Sequence, residues 1–191
     1  MILQAHNSWS YLKPKVWWLR PFAFMARCQS KDIFEQYEKY GVRCFDLRVK
    51  IKKNGEVVVA HGELAYKITR DELMKHLKFI NDKECIVRVF HEVRRSGQYT
   101  EDAVSRFKEF CSELEVRFPK IKFYGGRNLY NWGIDYKFEY NPSEDSIYSS
   151  VMNPKWIDDW FPWIYAKLNN RKILANGTDK DILAIDFVNI R

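Results

Sequence analysis

The chain switches repeatedly between two hydrophobic periods, one of two residues and one near 3.6, and this alternation predicts its elements. Residues 2–5 form a short apolar run that ends on His6 and predict a buried strand. Residues 13–29 are aromatic and basic, and Pro14 and Pro21 break any long helix there. Ser30 is the expected cap of a helix through Tyr40, with Ile33, Phe34 and Tyr37 on one side and Gly41 as its stop. Residues 42–52 alternate like a strand, placing Cys44, Asp46 and Arg48 on one side and Phe45, Leu47 and Val49 on the other. Asn54-Gly55 then predicts a hairpin of the two-residue type, returning along residues 57–61 to His61-Gly62.

Further along, Thr69 stands three residues before Glu72, a capping-box spacing that opens a helix over 69–81 carrying Leu73, Leu77 and Ile80. Residues 84–92 predict a strand that is apolar except for Arg88 and the final His91-Glu92. An amphipathic helix over 100–118 follows, with Val104, Phe107, Cys111 and Leu114 on its apolar side, and then a short strand over 120–124 before Gly125-Gly126. Residues 129–150 read as a long irregular loop. Pro154 is expected to start an aromatic helix with a kink or break at Pro162, residues 171–175 form a candidate short strand, and residues 182–188 predict a buried strand holding Asp186. Strands alternating with helices from end to end argue for a single α/β domain over 1–191 with a parallel sheet. Polar groups gather at strand ends (His6, His61, His91-Glu92, Asp186), as on the catalytic rim of a barrel. About six strands are legible, so closure into eight stays open.

Composition sharpens this only in part. An apolar share of 46% is enough for a folded core, and no run is long enough to cross a bilayer. The N-terminus lacks a secretory pattern, so a cytoplasmic home is the default and secretion follows if a leader was removed. Cys28, Cys44, Cys85 and Cys111 show no metal-ligand spacing and are expected to be reduced and buried. The net charge of +7 favours anionic partners.

Two of the four histidines, His6 and His61, fall at strand ends beside polar groups. A histidine beside an apolar strand is more often a packing residue than a catalyst, but this pair arrives with Asp46 and Arg48, two apart on one face of a buried strand. Burying charge is costly without partners, and a site would supply them. Imidazoles move protons near neutral pH, and a guanidinium holds phosphoryl oxygens in a fixed fork. Phosphodiester cleavage is therefore the leading chemistry. Asp186 is an unusual carboxylate within an apolar strand. Arg88, His91, Glu92, Tyr124 and Arg127 are weaker candidates for substrate contact.

The ordered segments A-H-N-S, Gln29-Ser30, Y-G-V-R-C-F-D-L-R-V, V-V-V-A-H-G and L-A-I-D-F-V-N together resemble the catalytic X region of phosphatidylinositol-specific phospholipases C, in its bacterial form, over residues 2–189. The resemblance implies a distorted, TIM-barrel-like parallel β/α barrel. It implies that His6 is the general base for the inositol 2-hydroxyl, that His61 is the general acid for the leaving oxygen, and that Asp186 pairs with the base. It places Arg48 where the bacterial enzymes have an arginine in place of a calcium-binding aspartate, with Asp46 two positions earlier. One departure stands out. Bacterial members commonly have Asp after the first histidine, whereas this chain has Asn7, the residue eukaryotic members use as a calcium ligand. Arg48 would repel a divalent cation, so a metal-free site without cofactor is expected.

The substrate expected is a phospholipid or a soluble phosphodiester, with transient contact at a membrane surface and a monomeric chain. The mixed segment over 16–27 (VWWLRPFAFMAR) suits a bilayer interface, but most of its side chains are expected to pack on the domain. Nucleic acid is not expected, since no binding motif for it is present. Two rivals remain: a metal-dependent phosphodiesterase of the glycerophosphodiesterase or sphingomyelinase-D type, and a non-catalytic module that binds inositol phosphate or anionic lipid.

Overall fold

The turn that follows the first predicted strand is tied to a neighbouring strand by polar side chains. The computed structural model describes residues 1–128, 132–149, 161–176 and 179–190. Its contacts cluster into two compact units, Met1–Asp46 with Pro142–Arg191, and Leu47–Asn141. The division falls inside one strand, β2.

In the first unit, β1 (Ile2–Ala5) runs parallel to the start of β2 (Cys44–Ile51) on one side and to the last strand, β8 (Ile182–Ile185), on the other. β7 (Ile147–Ser149) adds a further parallel strand beyond β8. It lies in the stretch expected to be loop, where a three-residue strand is too short to show a period. Helix α1 (Ile33–Glu38) is capped by Asp32, whose side chain accepts the Glu35 N–H, and not by Ser30, whose hydroxyl donates to Asn189. Both residue types cap well, so sequence alone could not choose.

The last helix, α4, spans Pro162–Asn176. Pro162 is its first residue, where a missing N–H costs nothing, so of the expected kink or break there is no kink: the helix begins at Pro162, after a non-helical Phe161. Residues 171–175, expected as a strand, continue this helix. The expected helix start at Pro154 lies outside the described residues. The buried face of α4 is Pro162, Ala166 and Asn170, one residue per turn, a stripe too narrow for periodicity to reveal.

In the second unit, the rest of β2 pairs antiparallel with β3 (Val57–His61), which pairs antiparallel with β4 (Leu64–Ala65). On its other side β2 meets β5 (Ile86–His91), which runs parallel to β6 (Lys122–Asn128). The β2–β3 hairpin exists, but Lys52 pairs with Glu56 and the loop is Lys53, Asn54 and Gly55. Gly55, at φ 80°, closes it as the left-handed third residue, so the two-residue expectation is corrected by one position. Helix α2 (Arg70–Asp82) starts with the full Thr69–Glu72 capping box. Helix α3 (Glu101–Arg117) is capped by Thr100 and buries Ala103, Phe107, Phe110, Cys111 and Leu114. All four cysteines are free and buried, as their apolar surroundings suggested. No described helix is long and apolar enough to cross a membrane.

Candidate active site

The A-H-N-S segment leaves β1 in a tight turn, with Asn7 at φ 45°, a left-handed conformation that Asn tolerates better than most residues. Three bonds fasten this turn to β2. The Asn7 N–H donates to Asp46 Oδ2 at 3.0 Å, the Ser8 N–H donates to the Asp46 carbonyl at 3.0 Å, and the Ser8 hydroxyl accepts the Asp46 N–H at 2.9 Å. The same hydroxyl donates to the Ala5 carbonyl at 2.7 Å.

His6 stands at the start of this turn, 4% exposed. Its Nδ1 lies 2.6 Å from Asp186 Oδ1, and its Nε2 lies 3.9 Å from Asp46 Oδ2. A carboxylate only accepts, so in the neutral ring the short contact favours the tautomer with the proton on Nδ1 and the lone pair on Nε2. Asp186 follows β8 directly. It is set there because Ala5 is in register with Ile185 and the His6 N–H bonds the Ile185 carbonyl at 3.0 Å.

Gln29 locks the two strand ends together. Its amide nitrogen donates to the carbonyls of His6 and Ile185, at 3.1 and 3.0 Å, and its oxygen accepts the Val188 N–H. Asn170 on α4 donates to the Asp186 carbonyl at 2.6 Å. The side-chain amide of Asn7 is fully buried and finds no hydrogen-bond partner among the described residues.

A second cluster occupies the other unit, around Glu92, which is 1% exposed at the end of β5. The Gly62 N–H donates to Glu92 Oε1 at 2.9 Å, Arg48 approaches Oε2 at 3.4 Å, and Arg94 approaches Oε1 at 3.4 Å. Burial alone would raise this carboxyl. The Arg48 guanidinium, then His61, Arg94 and the Gly62 N–H, outweigh it and hold Glu92 below the usual carboxylate range. Gly62 has φ 60°, a left-handed conformation that glycine adopts without strain, and in it the Gly62 N–H reaches Glu92. Arg48 and Arg88 both lie over the Phe90 ring, at 5.1 and 4.8 Å, which puts them on one side of the sheet with Glu92.

Of the weaker candidates, Tyr124 is the cross-strand neighbour of Arg88 and is buried edge-on against Tyr140. Arg127 is half-buried at a backbone bridge to Ile134. His91, one residue before Glu92, faces a different set of partners. Its Nδ1 is 2.7 Å from Asp135 Oδ2, its ring stacks on Phe107, and Tyr99 donates to the same carboxylate. Burial, that hydrogen bond and the Asp135 charge push the Tyr99 phenol up to about 12.

Sequence reasoning missed Ser8, Gln29, Asn170 and Asp135 as structural partners. Each is a single polar residue with no period of its own. The only available signal was that Gln29 and Ser8 stand inside segments of the family pattern. The segment over 16–27 differs from expectation more plainly. It forms a 3₁₀ segment, Trp17–Met25, in which Ala23 is the buried residue and Trp17, Trp18, Phe22 and Phe24 are all at least half exposed. On α4 and just before it, Phe161, Trp163, Ile164 and Leu168 are exposed too, and Phe24 stacks on Phe161 with centroids 6.0 Å apart. The short, Pro-containing segment packs only Ala23 against the domain, and the apolar side chains of α4 extend beyond its narrow packed stripe.

The architecture is a distorted, TIM-barrel-like α/β fold carrying a buried His–Asp pair at the end of its first and last strands. It is the fold of bacterial phosphatidylinositol-specific phospholipases C. The enzyme from Listeria monocytogenes matches with a TM-score of 0.64 and 15% identity over 97% of this chain and 87% of that one. The H258Y mutant of the Staphylococcus aureus enzyme matches with a TM-score of 0.64 and 14% identity over 97% and 84%. A further S. aureus structure, concerned with modulation of that enzyme's membrane binding, gives 0.61 and 16% over 97% and 85%. No family model and no curated protein matches the chain.

Proposed function

We propose that the chain is a metal-independent phosphodiester-cleaving enzyme of the phosphatidylinositol-specific phospholipase C type. The observation that carries the reading is the buried contact of 2.6 Å between His6 Nδ1 and Asp186, which fixes the tautomer and leaves Nε2 as a base. The shared fold and the ordered sequence segments support the substrate class.

In this reading His6 Nε2 takes the proton of the inositol 2-hydroxyl, and that oxygen attacks phosphorus. The bond from phosphorus to the diacylglycerol oxygen breaks, and His61 protonates the departing oxygen. The products are diacylglycerol and a cyclic inositol phosphate. Arg48 stabilises the charge that builds on the phosphoryl oxygens, a role whose loss typically costs about 10²–10³-fold in rate. Asp46 holds the His6 turn through Asn7, and the unpartnered Asn7 amide is offered to the substrate. Arg88, Glu92, Tyr124 and Arg127 remain candidates for the head-group pocket. His91, tied to Asp135 and Phe107, serves better as an anchor of its own loop.

The test is ³¹P detection of products from phosphatidylinositol and a soluble inositol phosphodiester, with and without EDTA. A cyclic phosphate product at the same rate in both conditions is expected. Full loss of activity in EDTA would favour the metal-dependent rival, and head-group binding without any product would favour the silent module.

The exposed aromatic side chains of Trp17–Met25 and α4 are assigned to a lipid surface, where Trp and Phe settle at the level of the head groups. Replacing Trp17 and Trp18 together by Ala is expected to weaken partitioning onto phosphatidylcholine–phosphatidylinositol vesicles by at least about tenfold, since each loses more than about 1 kcal/mol of apolar burial. Vesicle sedimentation reads this directly. Unchanged partitioning would assign the patch to something other than lipid.

A further inference from the structure

We propose that His6, Cys28 and Asp186 form a site for a borderline-soft divalent metal of the Zn²⁺ class. The three ligand atoms (an imidazole nitrogen, the Cys28 sulfur and a carboxylate oxygen) all lie within 4.8 Å of one another, and all three residues are buried. Tetrahedral zinc, with bonds of about 2.0–2.3 Å, spaces its ligands roughly 3.3–3.6 Å apart, so small side-chain shifts complete the set. Three protein ligands leave a fourth position for water or a phosphoryl oxygen.

The framework around them is already ordered. The Cys28 N–H donates to Ser10 Oγ at 2.9 Å, and its carbonyl accepts the Phe187 N–H at 2.6 Å, so the cysteine is pinned to the turns after both β1 and β8. Gln29 and Asn170 hold the backbones of His6 and Asp186. These bonds order the backbone that carries two of the three ligands. Thiolate and imidazole select Zn²⁺, Cd²⁺ or Co²⁺ and disfavour the hard, oxygen-seeking Ca²⁺ and Mg²⁺.

Metal at this position takes Nδ1, the Cys28 thiolate and the Asp186 oxygen that orients the ring; the ring proton moves from Nδ1 to Nε2, which removes the base, and the thiol proton leaves to solvent. The inhibition that follows rests on the reading of His6 as the base; the binding itself does not. The site thus makes a metal-free catalyst sensitive to zinc through a cysteine that the reaction does not use.

The purified chain is titrated with Co²⁺ and followed by absorption. A thiolate-to-cobalt charge-transfer band in the near ultraviolet is expected in the wild type and not in Cys28→Ser. No band in the wild type, or an equal band in the variant, would overturn the site. Circular dichroism establishes that the variant is folded. X-ray absorption of the Zn²⁺-loaded wild type needs no variant, and one sulfur in the shell is expected where an all-nitrogen-and-oxygen shell would overturn the proposal. In turnover, Zn²⁺ inhibition reversed by EDTA is expected, with Cys28→Ser needing at least about tenfold more Zn²⁺. Equal inhibition of both proteins would also count against the site. Absence of any turnover sinks the phosphodiesterase reading and leaves the cobalt and sulfur readouts to decide this one.

Discussion

His6→Ala is expected to lower turnover of phosphatidylinositol by about 10²–10⁴-fold, the usual range for removal of a positioned acid–base group. The loss should appear in kcat with KM little changed, because the imidazole acts on a proton in flight and not on the resting head group. His61→Ala is expected to fall in the same range for diacylglycerol as leaving group. It should fall much less with a substrate whose leaving group is a phenol, which departs without a proton. His6→Ala gains nothing from that substrate, since the attacking hydroxyl still needs its base. Asp186→Asn tests the pairing itself. Its oxygen can still accept from Nδ1, but the charge that stabilises the protonated ring is gone, so a drop of intermediate size is expected. Continuous assay of both substrate types reads all three variants. Equal rescue of His6→Ala and His61→Ala by the phenolic substrate would remove the distinction between base and acid. Turnover near the wild-type rate in His6→Ala would end the proposal.

These variants probe residues that could be read from the chain before any fold was known, and the reason is physical. His6 and His61 each terminate an apolar run, so strand period and residue chemistry coincide at the same position. Asp186 was legible because a carboxylate in ILAIDFV contradicts its surroundings. Strands β1, β2, β3, β5 and β8 were legible for the same reason, since buried runs bounded by polar turns leave little ambiguity. The supporting framework was not legible. Gln29 bonds residues 23 and 156 positions away, and no local pattern records such pairings. The hairpin was placed correctly by Asn54-Gly55 but miscounted by one, because the dipeptide suits both loop lengths. The exposed aromatic side chains were misjudged because apolar residues are assumed to pack. In Trp17–Met25 the assumption fails for four aromatic side chains.

Glu92→Ala is expected to destabilise the protein by about 3–5 kcal/mol, a large share of the roughly 5–15 kcal/mol that holds a typical domain together. Glu92 is 1% exposed and answers Arg48, Arg94 and the Gly62 N–H at once, so its removal takes a buried negative charge away from a nearly buried guanidinium. Glu92→Gln should cost less, because the amide can still accept from Gly62, but it tests the charge through pH. The folded-state carboxyl lies below its unfolded value of about 4.3, so its contribution is fully present above that pH. As pH falls the unfolded chain takes up the proton first, and the contribution is lost on passing down through the folded value. Urea midpoints measured from neutral to acid pH should therefore fall less steeply for Glu92→Gln than for wild type. The carboxyls of half-buried Glu35 and of exposed Glu63 and Glu72 are also depressed, by hydrogen bonds from Lys39, Lys50 and the Thr69 backbone respectively. They remain in both proteins, so the difference between the two curves belongs to Glu92. Parallel curves would mean that Arg48 and His61 do not set the charge of this carboxylate.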